Sequence, residues 1–289
     1  MVVVSACPAG VTRRVCQHRP WGPATRAHAL PTMPIHYDLH DGFAEITLDH
    51  APVNALTEAL VDELLAALQR AAGDTAARAV VLASAVPRRF CAGLDLAALH
   101  GAAPGQIHTL LDKLYLRLRD AQSSLGKPSI AAVAGAARGG GMTLAISCDM
   151  LVAGQAASFG YPEIDVGLLP AIHFTHLHHI VGRHRAFDLL FTGRSFGADE
   201  ALALGLVSRV VDDGEVLAEA RQVARQLAAK SPTAMRLGRA AFHAAVDGPL
   251  RDAVANAVRS FCEVAVTDDG REGVAAYAEK RAPRWKPAA

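Results

Sequence analysis

The stretch GAARGGGMTLAISCD, Gly135–Asp149, sets three consecutive glycines, Gly139, Gly140 and Gly141, at the mouth of an apolar helical run. Glycine inside a helix costs about 1 kcal/mol relative to alanine, so three in a row imply a use for bare backbone. One use is an anion or oxyanion site, where unpaired N–H groups at a helix start face a closely approaching molecule. Tight packing of the helix on a strand is the other. Neither familiar phosphate pattern is present. Gly126-Lys127 is followed by Pro128 instead of Ser or Thr, and Leu144 stands where G-x-G-x-x-G needs its last glycine.

Outward from the glycines, PSIAAVAGAA before them, MLVAG after the helix and ARAVVLASA further upstream are short continuous apolar runs, which suit strands buried on both faces. IHYDLHDGFAEITLD alternates as two strands joined at Asp41-Gly42, and LGLVSRVVDD carries a later strand. TEALVDELLAALQRAAGD is spaced as a helix, with Thr57 as N-cap and a stop near Gly73. Strands alternating with helices predict an α/β fold with its site where strands end and helices begin. From Val216 onward long amphipathic helices take over: EVLAEARQVARQLAAK, PTAMRLGRAAFHAAVDG and LRDAVANAVRSFCEVAV. The expected division is a disordered extension over 1–32, a core over 33–215 and a helical subdomain over 216–289. No period of 20–50 residues repeats.

With 289 residues and 51% hydrophobic side chains, the chain can bury one large core. Its 29 Lys and Arg balance 28 Asp and Glu, so no overall field points to nucleic acid, and an anionic ligand must be held by local groups. No apolar run reaches the roughly 18 residues of a membrane span. Five scattered cysteines without disulfide or metal spacing favour a reducing, cytoplasmic setting. MVVVSACPAG is too short in its apolar part, and lacks the basic start, for a secretory signal; a plain tail is favoured over a transit peptide.

Two further stretches carry chemistry. In RRFCAGLDLAAL, Arg88–Leu99, a glycine turn leads toward an apolar helix and offers a second N–H, that of Leu94, with Asp95 at the helix start as a structural cap. In SFGYPEIDVGLLP, Ser158–Pro170, Glu163 is a carboxylate in an apolar segment, where desolvation would raise its pKa toward the range of proton transfer. The cluster AIHFTHLHHIVGRH holds His173, His176, His178, His179 and His184 without a nearby acidic ligand, and is read as a solvated or inter-subunit face, not a metal site. His173 and Phe174 follow the Glu163 loop closely enough to line a pocket. Cys91 has no partner nearby that would make it a nucleophile.

Taken in order, PVNAL at 52–56, FCAGLDL, GAARGGGMTLAISCD, FGYPEIDVGLLP, TGRSFGADEALALGLVSRVV and DDGREGVAAYAEKRAPRW resemble the crotonase superfamily, the enoyl-CoA hydratase/isomerase family, from about Met33 to Lys286. The resemblance implies a spiral of β-β-α units followed by a helical trimerisation subdomain, hence a homotrimer or hexamer. It implies an acyl-CoA substrate and no cofactor beyond the coenzyme A carried by that substrate. By the same resemblance the N–H groups of Leu94 and Gly140 form an oxyanion hole for the thioester oxygen. Ala55, Leu56, Ala92, Leu94, Asp95, Leu96 and Gly140 then bound the substrate, and Lys280 and Arg281 on the C-terminal helix contact coenzyme A phosphate. A fixed donor aimed at a developing oxyanion contributes roughly 3–4 kcal/mol in the transition state.

The pattern breaks at one position. Family hydratases resembling this chain hold a water between two glutamates; only the later is matched, by Glu163, and Thr143 occupies the earlier one. A threonine hydroxyl orients water but is no base near pH 7. One carboxylate is enough to move a proton between two carbons. The favoured expectation is therefore isomerisation of a 3-enoyl-CoA to a 2-enoyl-CoA with Glu163 as proton shuttle. LLPAIHF lacks the additional Asp of the family's dienoyl isomerases. Hydration with Thr143 holding the water, and acyl-CoA binding without turnover, are the alternatives. A hydrolase is disfavoured because no G-x-S-x-G occurs.

Overall fold

The computed structural model describes residues 34–96, 103–247, 267–279 and 281–285. The N-terminal extension, the expected helix LRDAVANAVRSFCEVAV and Lys280 lie outside these residues.

The first hairpin follows the alternation: β1 (Ile35–His40) and β2 (Phe43–Leu48) pair antiparallel across Asp41-Gly42, with Gly42 at φ 82°. Next come β3 (Ala55–Leu56) and α1 (Glu58–Gly73), which starts where Thr57 Oγ1 accepts the Leu60 N–H at 3.2 Å. Then follow β4 (Ala79–Ser84), β5 (Arg89–Cys91), β6 (Gly93–Leu94) and α2 (Pro104–Leu111). A π-helical turn over Asp112–Arg117 runs into α3 (Leu118–Ser124), followed by β7 (Ser129–Val133), β8 (Ala136–Arg138) and α4 (Gly140–Ser147). After β9 (Met150–Gly154) and β10 (Ser158–Gly160) come 3-10 turns over Pro162–Val166 and Ala171–Phe174, then α5 (Leu177–Val181) and α6 (Arg183–Thr192). The chain continues through β11 (Ser195–Gly197), α7 (Ala198–Ala203), β12 (Arg209–Val211), α8 (Val216–Ala228), α9 (Pro232–Asp247) and α10 (Asp268–Ala278).

The larger sheet has the order β1-β2-β4-β7-β9-β12, the smaller β11-β10-β8-β5, and β3 pairs β6 alone. The segments β4–β5, β7–β8 and β9–β10 each give one parallel strand to either sheet, so the chain climbs as a spiral of β-β-α turns. Successive turns carry insertions of unequal length, which is why this spatial repeat leaves no period in the sequence.

Both faces of the larger sheet are covered, which accounts for the unbroken apolar runs of β4, β7 and β9. On one side Val80, Leu82, Ala131 and Val133 join the cluster that holds Leu60, Leu64 and Leu68 of α1. On the other, Val81, Ile130 and Val152 pack on Val216, Ala220, Val223 and Ala224 of α8. The boundary expected at residue 216 therefore falls inside a continuous core, because the first amphipathic helix uses its apolar stripe to close the sheet. Asp149 ties α9 to the strands: it accepts the N–H and hydroxyl of Ser129 at 2.8 and 3.0 Å, and Nε of Arg239 and Nε2 of His243, each at 2.8 Å.

Candidate active site

Where β6 meets the start of α4, backbone touches backbone. A Cβ on Gly93 would stand 2.7 Å from Arg138 O and 3.1 Å from Gly140 N, and one on Gly141 only 2.2 Å from Cys91 O. No side chain fits, so the glycines bring the strand edge and the helix start together. The Asp95 N–H donates to Leu56 O at 3.1 Å, and alternation along β6 turns the Leu94 N–H the opposite way. As first residue of α4, Gly140 has an N–H with no partner inside the helix. Leu94 and Gly140 both line a cavity of about 160 Å³.

Leu94 presents its donor from a two-residue strand paired with Ala55 and Leu56, and Asp95 stands just before the first helical residue, Leu96. Ala55 and Leu56 hold β6 in place, and a Cβ on Gly140 would meet Leu56 Cδ1 at 3.0 Å. Ala92 and Leu96 line the cavity, and the Ala92 N–H donates to Val53 O at 3.0 Å.

Glu163 enters the same cavity from the Pro162–Val166 turn. A Cβ on Gly139, whose φ is 49°, would lie 2.7 Å from Glu163 Oε1, so the carboxylate rests on the glycine that begins the helix. The side chain is half-buried, and its Oε2 has no partner among the described residues. Burial raises its carboxyl above the ordinary glutamate value, against a smaller opposing hydrogen bond to its own backbone. Two tyrosines sense it: burial first and the Glu163 charge second push Tyr115 up to about 12, and the same pair of causes raises the buried Tyr161, whose Oη is also unpartnered.

Thr143 lies one turn into α4, buried, with Oγ1 3.4 Å from His173 Nε2; His173 Nδ1 in turn is 3.4 Å from His176 Nε2. His173 is fully buried against the ring of Tyr161, centroids 4.5 Å apart. Burial, reinforced by His176, drives its pKa down to about 3, so the ring is neutral near pH 7. The histidine cluster is thus not one solvated face. The 3-10 turn over Ala171–Phe174 swings His173 inward while His178, His179 and His184 stay exposed and Phe174 turns out to stack on Phe191. No group of three metal-ligating side chains occurs among the described residues.

Thr143 borders a second cavity, of about 210 Å³, together with Leu114, Tyr115 and Ile172. Leu114 also packs on the start of α4, its Cδ2 lying 3.2 Å from where a Gly140 Cβ would be. The π-helical turn that supplies Leu114 and Tyr115 was invisible in the sequence, since no motif marks either residue. Arg281 departs from expectation too. It lies beyond the end of α10, and its guanidinium is held by Glu272 at 2.6 Å and Glu279 at 2.5 Å. The Cys91 thiol is fully buried and pushed up to about 12 by desolvation, which removes it as a nucleophile.

Two converging N–H donors can hold an enolate oxygen, and one desolvated carboxylate beside them can take and return a proton. A sequence profile of the enoyl-CoA hydratase/isomerase family matches residues 38–288. A probable enoyl-CoA hydratase of Rhodobacter capsulatus is 39% identical over 254 residues, covering 87% of this chain and 97% of that protein. A short-chain-enoyl-CoA hydratase of Clostridium acetobutylicum is 33% identical over 233 residues, 79% and 88% of the two chains. The crystal structure of an enoyl-CoA hydratase from Bacillus anthracis superposes with a TM-score of 0.83 at 30% identity, covering 89% of this chain and all of that one. Backbone donors, carboxylate, fold and relatives agree: the chain is an enzyme of the enoyl-CoA hydratase/isomerase family.

Proposed function

We propose that the protein converts 3-enoyl-CoA to 2-enoyl-CoA thioesters. The observation that carries this reading is that Glu163, of the two carboxylates lining the cavity, is the one resting on Gly139 beside the paired donors, while Asp165 sets its carboxylate against Gly193 and the uncharged Thr143 is turned toward His173 where a second base would be needed. Glu163 takes a proton from the carbon between the thioester and the double bond. The electron pair moves onto the thioester oxygen, held by the N–H groups of Leu94 and Gly140. As the dienolate collapses, the same carboxyl returns the proton to the far end of the old double bond, which now lies in conjugation. The proton balance closes on one residue, so no cofactor beyond the coenzyme A of the substrate is required. Lys280 remains the proposed phosphate contact, the homotrimer or hexamer the proposed assembly, and the cytoplasm the proposed setting, supported by the free thiols of Cys91 and Cys148. No described helix is long and apolar enough to cross a membrane.

Hydration is the second reading, favoured by the buried Thr143–His173 contact, which would fix a hydroxyl able to hold water, and by the hydratase names of the relatives. The test offers a trans-3-enoyl-CoA and a trans-2-enoyl-CoA separately, following conjugated thioester absorbance and product mass. Appearance of the 2-enoyl product supports isomerisation; a gain of water supports hydration; binding without turnover supports neither. Glu163→Gln is expected to lower the rate about 10²–10⁴-fold, and an unchanged rate would overturn the assignment.

A further inference from the structure

At the opposite end of the strands from the candidate active site lies a cavity of about 500 Å³, against about 160 Å³ at that site. Arg78, just before β4, and Lys127, two residues before β7, line it, whereas the reacting groups sit past the other ends of these strands. The six residues of β4 alone hold the two places on the order of 20 Å apart. Lys230, in the link from α8 to α9, and Arg236, one turn into α9, bring the cations of the lining to four. No carboxylate lines the cavity among the described residues.

Lys127 is already in use. Its Nζ donates to the carbonyls of Ala71, Ala72 and Asp74 and so closes the C-terminal end of α1. Arg78, Lys230 and Arg236 make no ion pair or side-chain hydrogen bond among the described residues. Asp74, the acid nearest to Arg78 in sequence, is spent elsewhere: it accepts the Tyr37 hydroxyl at 2.9 Å and the Ala76 N–H at 3.0 Å. Arg236 is held in place by its stem, since a Cβ on Gly126 would touch its Cγ and Cδ at 3.7 and 3.9 Å. Like charges gathered without a counter-ion raise the energy of the fold, and a bound anion recovers it. Leu227 and Met235 line the same cavity, so part of its wall is apolar.

We infer that this cavity binds a nucleoside diphosphate group, its phosphates on Arg78, Lys230 and Arg236 and its base against Leu227 and Met235. Guanidinium forks match phosphate oxygens in pairs, and three cations balance the roughly three negative charges such a group carries near pH 7. The volume falls within the roughly 300–1,000 Å³ of small-molecule sites. An inorganic anion would leave the apolar wall bare. A free nucleotide and the adenine end of coenzyme A both carry this group, and binding experiments tell them apart.

Titration calorimetry of the full-length protein uses ADP, coenzyme A, adenosine and inorganic pyrophosphate as probes. ADP is expected to bind roughly 10-fold or more tightly than adenosine or pyrophosphate. The double substitution Lys230→Gln with Arg236→Gln should weaken ADP by roughly 10- to 100-fold. Both side chains are exposed, and a thermal melt checks the fold; Arg78→Gln replaces the pair should it melt early. A second binding step of coenzyme A that the substitutions abolish would support the site and name the coenzyme as its source. The same loss for ADP, with coenzyme A showing no such step, would support it and name a free nucleotide. Adenosine or pyrophosphate matching ADP, or an ADP isotherm that the substitutions leave unchanged, would overturn the inference. None of these outcomes bears on Glu163, whose own assay decides the isomerase reading.

Discussion

Gly139 and Gly141 are neighbours with different duties, and alanine separates them. At Gly139 a new Cβ meets the mobile end of Glu163, 2.7 Å away, on a backbone of φ 49°. The carboxylate can swing aside, so we expect a loss of about 1–2 kcal/mol of stability from left-handed backbone. Displacing the base by about 1 Å would lower kcat by about 100-fold. At Gly141 the new atom meets Cys91 O at 2.2 Å, and no side chain can yield. There β5 and α4 must part, and urea denaturation should register a loss of about 2–3 kcal/mol. The pH profile tests Glu163 itself. Burial raises its carboxyl, and proton removal needs the ionised form, so kcat/KM should fall toward acid through a limb placed above the 4.5 of an ordinary glutamate. In Glu163→Gln that limb should vanish with the rate.

Asp149 does for the elements what the glycines do for the site. Burial alone would raise its pKa, but Arg239, the Ser129 N–H and His243 outweigh that and hold it below the ordinary 3.8. A carboxylate depressed in the folded state stabilises the fold above its unfolded pKa, and that stability is lost as pH falls from 3.8 toward the lower folded value. Arg239→Met should therefore cost about 3 kcal/mol at neutral pH and flatten the acid end of the melting curve taken against pH. Elements of this kind were legible to different degrees. The β1–β2 hairpin and α1 were written locally, in alternation around Gly42 and in the Thr57 cap. The strands β3, β5 and β6 were not, because segments of two or three residues are set by the partners they meet. The inward turn of His173 was hidden for a related reason. Polar residues in a run suggest solvent, and only the packing of Tyr161 against Ala171–Phe174 shows one ring to be buried. Glu163, Leu94 and Gly140 each stood beside a glycine or proline signal, but only the resemblance to a family joined them as a candidate site, since such signals fit packing and solvent exposure equally well; the structure brings all three to one cavity.

At the scale of the molecule, α6 and the turn before α5 carry an aromatic ladder turned outward: Phe174 stacks on Phe191 at 5.7 Å and Phe191 on Phe187 at 4.3 Å. All three rings are exposed, and Phe187 keeps 62% of its surface. Such a patch suits a subunit contact in the proposed homotrimer. Sedimentation equilibrium is expected to give a trimer or hexamer, and Phe187→Glu a smaller species; an unchanged mass would place the contact elsewhere. The backbone-to-backbone seam between Gly93 and Gly140 has a last consequence, an evolutionary one. Neither of the proposed oxyanion donors belongs to a side chain, so among natural residues only proline could delete the Leu94 N–H. Inheritance can therefore rework Thr143 or the bearing of Glu163, and with them the proposed fate of the intermediate, while the two backbone N–H groups outlast almost any substitution at their own positions.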